Sequence, residues 1–333
     1  MEKTNITPLQ TLWNRKNGIF DQETLALAID GGGAKSLLGI AALEELDKSG
    51  MLDLFDMYSG ASGGAINATV AMSKQFVEAT DIYSNLGKNG VMAWGRLSPF
   101  SREWPVIDTA RLGELIVETP VDMKKIDSTN IRLEVGLTNL SSMTAESVNA
   151  LHQLDDCPSD NTRAEKLVDL LMVSSHFPLL AGKPPMKDGS VLADGGLSWR
   201  SSADIAFSAG ATKVIELNNG PKTVWKRTKT SYLFENAVAG WIAKHTSLAS
   251  AKQYRRFVHE QRHFMNNRDS DPNHSTNVSY IRPAEVVGNL PSVVENDKAR
   301  LKTALVAGRV CVQKLLEDLE AFTPQEPIVP ATL

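Results

Sequence analysis

Ser62 lies in Gly60-Ala61-Ser62-Gly63-Gly64, a G-x-S-x-G sequence suited to an exposed nucleophilic hydroxyl. The apolar run Leu54-Phe55-Asp56-Met57-Tyr58 precedes it, and small and apolar residues from Ala65 to Met72 follow. This context predicts strand, sharp turn and helix. Gly60 and Gly64 flank the serine because such a turn brings backbone close to backbone. The hydroxyl then heads a helix, where the backbone dipole favours developing negative charge. Asp30-Gly31-Gly32-Gly33 follows the apolar strand Leu25-Ala26-Leu27-Ala28-Ile29. Gly31, Gly32 and Gly33 expose consecutive N–H groups, a nest that binds an anion such as an oxyanion. Asp194 sits in Ala193-Asp194-Gly195-Gly196, after Ser190-Val191-Leu192, and so places a carboxylate on a glycine-supported turn. Nucleophile, base and oxyanion donors are what acyl transfer requires.

The order of glycine nest, serine elbow and Asp-Gly-Gly resembles the patatin-like phospholipase family, over about residues 25 to 220. Ser174-Ser175-His176-Phe177-Pro178 resembles the family's small-residue segment ahead of the aspartate. Residues 209–217 resemble its late helix end and strand. The resemblance implies a Ser62–Asp194 dyad without a catalytic histidine. It implies a lipid acyl hydrolase that releases fatty acid from a phospholipid or related ester through an acyl-serine intermediate. One departure stands out. The family's nest usually continues with arginine and glycine, and here Lys35 and Ser36 take those places. The charge is kept, but the planar fork is lost. Lys35 reads either as a contact for the oxyanion or a lipid phosphate, or as a solvated first-turn lysine.

Other assignments compete. Chain order Ser–Asp–His would admit His245, His259, His263 or His274 as a base. None follows an apolar strand in a glycine-flanked loop, and His176 reads as a structural residue near the site wall. Asp30 reads as a holder of the nest, accepting backbone hydrogen bonds within it. An actin-like sugar kinase is a rival reading of residues 29–36, but its phosphate turn leads into a second strand, whereas Leu37 to Leu46 carries helical spacing. A catalytically silent binding protein on the same scaffold is the other rival. Neither a calcium loop nor a His/Cys ligand cluster is found, and neither metal nor cofactor is expected.

Strands alternating with helices predict a three-layer α/β/α fold with a mostly parallel central sheet. Strands are expected at 25–30, 54–58, 131–138, 142–149, 214–217 and 279–281, and helices at 37–46, 163–175, 203–209, 233–263 and 293–319. Residues 1–23 form a lead-in with one amphipathic turn around Leu9, Leu12 and Trp13. Residues 24–321 form one catalytic domain, and residues 322–333 a Pro-rich tail. Trp94, Phe100 and Trp104, interleaved with prolines, read as a packed irregular segment or an interface-seeking loop. Lys252, Arg255, Arg256, Arg262 and Arg268 read as a solvated helix face or a contact for anionic lipid heads. Among 333 residues, 42% are hydrophobic and 22% charged, as in a globular protein, and the net charge of -4 argues against nucleic acid as a partner. No run approaches ~20 apolar residues, so no transmembrane helix is expected. With only Cys157 and Cys311 and no apolar signal core, a reducing, cytoplasmic setting is expected, with peripheral contact at membranes.

Overall fold

The computed structural model describes residues 6–91, 107–118, 121–182, 184–220, 228–285 and 298–321. Helix α1 (Pro8–Lys16) is followed by β1 (Leu25–Ile29), α2 (Ser36–Lys48), β2 (Met57–Gly60), α3 (Gly63–Ser73) and α4 (Phe76–Ser84). Next come α5 (Thr109–Glu118), α6 (Met123–Ser128), β3 (Arg132–Asn139), β4 (Thr144–Asn149) and α7 (Asp160–Ser174). Then follow β5 (Met186–Lys187), β6 (Ser190–Asp194), α8 (Ser202–Ser208) and β7 (Lys213–Leu217). The last elements are α9 (Lys229–His245), α10 (Leu248–Asn267), α11 (Pro272–Asn277), β8 (Val278–Ile281) and α12 (Lys298–Glu320).

The strands lie in the order β5-β6-β3-β2-β1-β7-β8, with β4 paired to β3. β3, β2, β1, β7 and β8 run parallel to one another, while β4 and β6 pair antiparallel with β3 and β5 pairs antiparallel with β6. Alternation along β1 decides what covers each face. Leu25, Leu27 and Ile29 face a core that includes Leu37, Ile40 and Leu43 of α2 and Ala65 and Ala68 of α3. Ala26 and Ala28 face Ala203 and Ala206 of α8. Alanine on both sides of that second contact lets α8 lie close to the sheet. A third core joins Val191 and Ala193 of β6 to Val238 and Ile242 of α9 and Tyr254 of α10. The three-layer arrangement is the one expected.

β4 covers one edge of β3 from Glu134 to Asn139, so β2 and β6 share the other edge. β2 runs along β3 until Gly60 pairs with Val135. β6 approaches from the opposite direction until Asp194 pairs with Leu137. The C-terminal ends of the two strands therefore meet head to head across Gly136. Residues two apart on a strand are about 6.6 Å apart, so the chain after Gly60 and the side chain of Asp194 are brought together by register alone.

Three expectations need correction. Residues 52–54 form a 3-10 turn, and β2 starts only at Met57. The Asp56 carboxylate accepts the Leu25 N–H at 2.8 Å, so that residue caps β1 before the strand begins. The single helix expected over 233–263 is two helices. Thr246 leaves the helical region (φ -132, ψ -91), and the Ser247 hydroxyl caps α10 by accepting Ser250 N–H at 3.0 Å. Val238 and Ile242 are buried, whereas Phe234 and Leu248 are exposed. The lead-in contains a full helix, α1, and its Arg15 binds the Leu54 and Glu23 carbonyls as well as Asp21 and Asp56. Trp94, Phe100, Trp104 and the 322–333 tail lie outside the described residues, as does the start expected for the final helix. No helix among the described residues is long and apolar enough to cross a membrane.

Helix α12 packs on α2 at Gly308, where an added methyl would collide with the Leu38 carbonyl and come within 2.9 Å of Ala41 Cβ. Gly308→Ala is expected to destabilise by about 1–3 kcal/mol, although alanine is the better helix former. At Gly240 in α9 an added methyl meets nothing within 4 Å, so Gly240→Ala should stabilise by up to about 1 kcal/mol. Thermal denaturation of the two variants, which should shift in opposite directions, checks the assignment.

Candidate active site

The peptide leaving β2 reverses at Ser62, whose backbone (φ 56, ψ -135) lies in a region that non-glycine residues rarely adopt. The Ser62 carbonyl accepts the first N–H bonds of α3, from Ala65 at 3.0 Å and Ile66 at 3.3 Å. Two glycines make the turn feasible. A methyl on Gly60 would lie 2.6 Å from the Gly64 carbonyl carbon, and one on Gly64 would collide with the Ile29 carbonyl. The strained residue is held by α7. Ser174 Oγ accepts Ser62 N–H at 2.9 Å and donates to the Gly136 carbonyl at 2.8 Å. The segment resembling the family's small-residue stretch thus anchors the elbow to the strand junction.

Asp194 ends β6 and is buried. Its Oδ1 accepts the Gly196 N–H at 2.8 Å, and the Ser62 side chain lies close enough to its carboxyl to lower its pKa. Its own N–H is bound to the His176 carbonyl at 3.0 Å, and Thr138 Oγ1 donates to its carbonyl at 2.7 Å. Burial raises its pKa to about 6, with the Gly196 hydrogen bond and the nearby Ser62 hydroxyl working against the rise. Gly195 is required here, since a methyl would collide with the Gly136 carbonyl and lie 2.7 Å from Ala61 Cβ.

The glycine turn sits against the elbow. A methyl on Gly31 would lie 2.7 Å from the Ala61 carbonyl and 3.1 Å from Ser62 Cβ. Gly32 (φ 124) and Gly33 (φ 59) take left-handed conformations that give an anion nest its shape. Lys35 caps this turn. Its half-buried ammonium has a lowered pKa from burial and makes no ion pair among the described residues.

Asp30 departs from its expected role. Its carboxylate does not bind the N–H groups of the nest. Ser202 Oγ donates to it at 3.3 Å, and the Asn219 backbone and the Glu216 carboxyl lie close enough to lower its pKa. Burial raises both acids. Glu216 is raised well above its ordinary value, first by burial and then by the neighbouring Asp30. The Arg268 guanidinium offsets the remaining charge and stacks on Tyr280 at 4.9 Å. Asn219 Nδ2 meanwhile donates to the Asp30 carbonyl at 2.8 Å and to that of Gly31 at 3.2 Å. The nest is held in shape from behind, by residues of β7 and of the turn after it. Sequence reasoning missed this set, because only the fold brings residues 30, 216 and 268 together. Arg268 accordingly leaves the solvated basic face, as it is buried at the end of α10. Arg256 pairs with Glu260 and Arg262 with Glu235, so that face also carries its own counter-charges.

No histidine ring is hydrogen-bonded to Ser62 or Asp194 among the described residues. His274 is buried between Asp204 and the Tyr280 hydroxyl, His152 pairs with Asp155, and His245 stacks on Trp241. His259 and His263 are exposed on α10. His176 reaches the site through its backbone, and burial lowers its ring pKa. After the nest comes α2, which removes the second strand that a sugar kinase needs. A recess of about 880 Å³ lined by Arg15, Asp53, Asp56 and Lys74 lies at the opposite end of the sheet, and its charges are already paired. In open α/β sheets ligands bind at the carboxyl ends of the strands, where the elbow and nest lie.

Residues 27–207 match the family described as patatin-like phospholipase. Among solved structures, the chain is similar to the crystal structure of VipD from Legionella pneumophila, with 14% identity and a TM-score of 0.38 over 90% of this chain and 67% of that one. No curated protein sequence matches the chain.

The raised Asp194 pKa has a stability consequence. Between its ordinary value near 4 and about 6, the folded protein holds a proton that the unfolded chain has lost. Stability therefore falls as pH rises through that window, by about 3 kcal/mol in all. Asp194→Asn is expected to be more stable than wild type at pH 8 by about 2 kcal/mol. The gap should close near pH 4, as read by urea denaturation at the two pH values.

Proposed function

Because this chain belongs to the patatin-like phospholipase family, we propose that it is a lipid acyl hydrolase that works through an acyl-enzyme on Ser62 with Asp194 as base. The observation that carries the proposal is the Ser62 hydroxyl beside a buried carboxyl of raised pKa, at the head of a helix and against a glycine turn. Ser62 Oγ attacks the ester carbonyl carbon while its proton passes to Asp194. The tetrahedral oxyanion lies against the N–H groups of Gly31, Gly32 and Gly33. Collapse expels the alcohol portion of the lipid, which takes the proton back from Asp194. Water then attacks the acyl-serine, Asp194 accepts its proton, and collapse of the second tetrahedral species returns that proton to Ser62 as fatty acid leaves. A carboxylate of ordinary pKa is a weak base, and burial of Asp194 is what brings it toward working pH. Lys35 supplies positive charge to a lipid phosphate at the mouth of the nest.

Hydrolysis of p-nitrophenyl esters and of mixed phospholipid vesicles tests this reading. Ser62→Ala and Asp194→Asn should each lower kcat/KM by about 10³-fold or more while folding is retained. In wild type, kcat/KM should fall as pH drops through about 6, following protonation of Asp194. Activity surviving in Asp194→Asn would sink the dyad and point to a histidine. Lys35→Met should slow turnover of anionic phospholipid by about 10-fold and leave an uncharged ester nearly unchanged.

A further inference from the structure

Asn219 lies in the turn after β7, beyond the segment that matches the family, and its side chain is buried. We propose that it is a positioning residue for acyl transfer, setting which way the donors of the glycine nest point, an inference that rests on the acyl-serine reading above. Strand register puts it there. β1 and β7 pair in parallel as far as Ile29 and Leu217, and two residues beyond that pair stand Gly31 and Asn219. Asn219 Nδ2 donates to the carbonyls of Asp30 at 2.8 Å and of Gly31 at 3.2 Å. In a trans peptide the carbonyl of one residue and the N–H of the next point in opposite directions. Holding the Asp30 carbonyl therefore orients the Gly31 N–H, and holding the Gly31 carbonyl orients the Gly32 N–H. Both donors are aimed away from the buried amide. Neither binds an acceptor among the described residues, so both remain available to an anion.

The tether matters because glycine resists rotation so little. Neither Gly31 nor Gly32 has a Cβ, and the peptide between them can turn over at small steric cost. Turned over, it would present the Gly31 oxygen to the tetrahedral intermediate in place of the Gly32 N–H, and attraction would become repulsion. Asn219 opposes that rotation with two hydrogen bonds. Its amide has one usable orientation, since the reverse would set its oxygen against two carbonyl oxygens. The orientation adopted leaves Oδ1 buried with no hydrogen-bond partner among the described residues. A buried acceptor left unpaired is unfavourable, so what the amide contributes lies at its donor end. The turn that carries it is itself fixed. The Asn218 N–H donates to the Ile281 carbonyl at 2.9 Å, and Asn218 Oδ1 accepts the Gly220 N–H at 3.1 Å. A second buried amide nearby supplies a control. Asn67 of α3 donates to the Ser36 carbonyl at 2.7 Å. Its Nδ2 and that of Asn219 lie 2.7 and 3.9 Å from where a methyl on Gly39 would stand. The Ser36 carbonyl shares its peptide with Leu37, inside α2, and not with a donor of the nest. Asn67 is thus alike in chemistry and burial but orients neither nest N–H.

The test compares wild type, Asn219→Leu, Asn219→Ala and Asn67→Ala on p-nitrophenyl butyrate, with 1-butaneboronic acid as inhibitor. Leucine keeps the size of asparagine and removes the donor, and alanine does the same without filling the space. The boronic acid adds to a serine hydroxyl and gives a tetrahedral anion that resembles the transition state. Both Asn219 variants should lower kcat by about 10- to 100-fold and leave KM within about 3-fold, because the interaction lost is made only in the transition state. The inhibition constant of the boronic acid should rise by about the factor by which kcat falls. Asn67→Ala should lower the melting temperature as the Asn219 variants do, yet change kcat by less than about 3-fold. The positioning role is overturned, with the dyad intact, if a folded Asn219 variant keeps the wild-type kcat or raises KM instead. It is overturned equally if Asn67→Ala slows turnover as much as they do. Loss of the fold in both Asn219 variants would make the residue structural and overturn the role as well. If wild type hydrolyses no ester and a fluorophosphonate does not label Ser62, the acyl-serine reading fails and this inference falls with it.

Discussion

The head-to-head meeting of β2 and β6 on one edge of β3 is the constraint from which the site follows. Two strands arriving from opposite directions cannot both continue past Gly136, so both chains must turn away from the sheet there. One turn produces the elbow at Ser62, and the other produces the Asp194-Gly195-Gly196 corner. Crowding at the junction accounts for the small residues around it. Gly136 and Ala61 both crowd the space that a methyl on Gly195 would need, and Gly136 has no room for a methyl against Ile205 and Trp199. The Gly136 carbonyl, accepting from Ser174, then ties the junction to the helix that holds the elbow.

Two local costs are concentrated at this point. Ser62 is held in a strained backbone conformation, worth about 1–3 kcal/mol. Asp194 is a carboxylate kept out of water, which costs a similar amount at neutral pH. The surroundings offset both by over-determination. Ser62 is fixed by Ser174 on one side and the first turn of α3 on the other, and Asp194 is fixed through both its backbone groups and one carboxylate oxygen. A buried carboxyl of raised pKa beside a serine hydroxyl on a fixed backbone is what the proposed dyad draws from that strain.

Much of this was legible in the sequence where a residue type answers a local backbone demand. Gly60, Gly64, Gly32 and Gly33 could be read because few side chains fit those angles or spacings. The strict alternation of 131–138 gave β3, and its partner β4 followed. What stayed hidden depends on distant residues. The break between α9 and α10 interrupts an apolar pattern that continues on both sides. Its trace is Ser247 with Ser250 three residues on, a weak capping signal. Arg268 looked like one more cation on a basic helix, and only the packing of α10 against β8 turns it inward over Tyr280. The hydroxyl of Ser174 gave no sign that it would reach the backbone of Ser62, 112 residues away.

The charge set behind the nest crosses the boundary of the family match. That match ends at residue 207, whereas Glu216, Asn219 and Arg268, which neutralise and brace Asp30, all lie beyond it. The segment that carries Ser62 and Asp194 is thus electrostatically incomplete, with an acid at its heart whose counter-ion comes from the end of α10. A recombinant boundary drawn at the edge of sequence similarity would cut between a buried carboxylate and its cation. The same dependence ties the late helices to the early glycine turn, so substitutions along α10 can reach that turn without touching a residue of the matched segment.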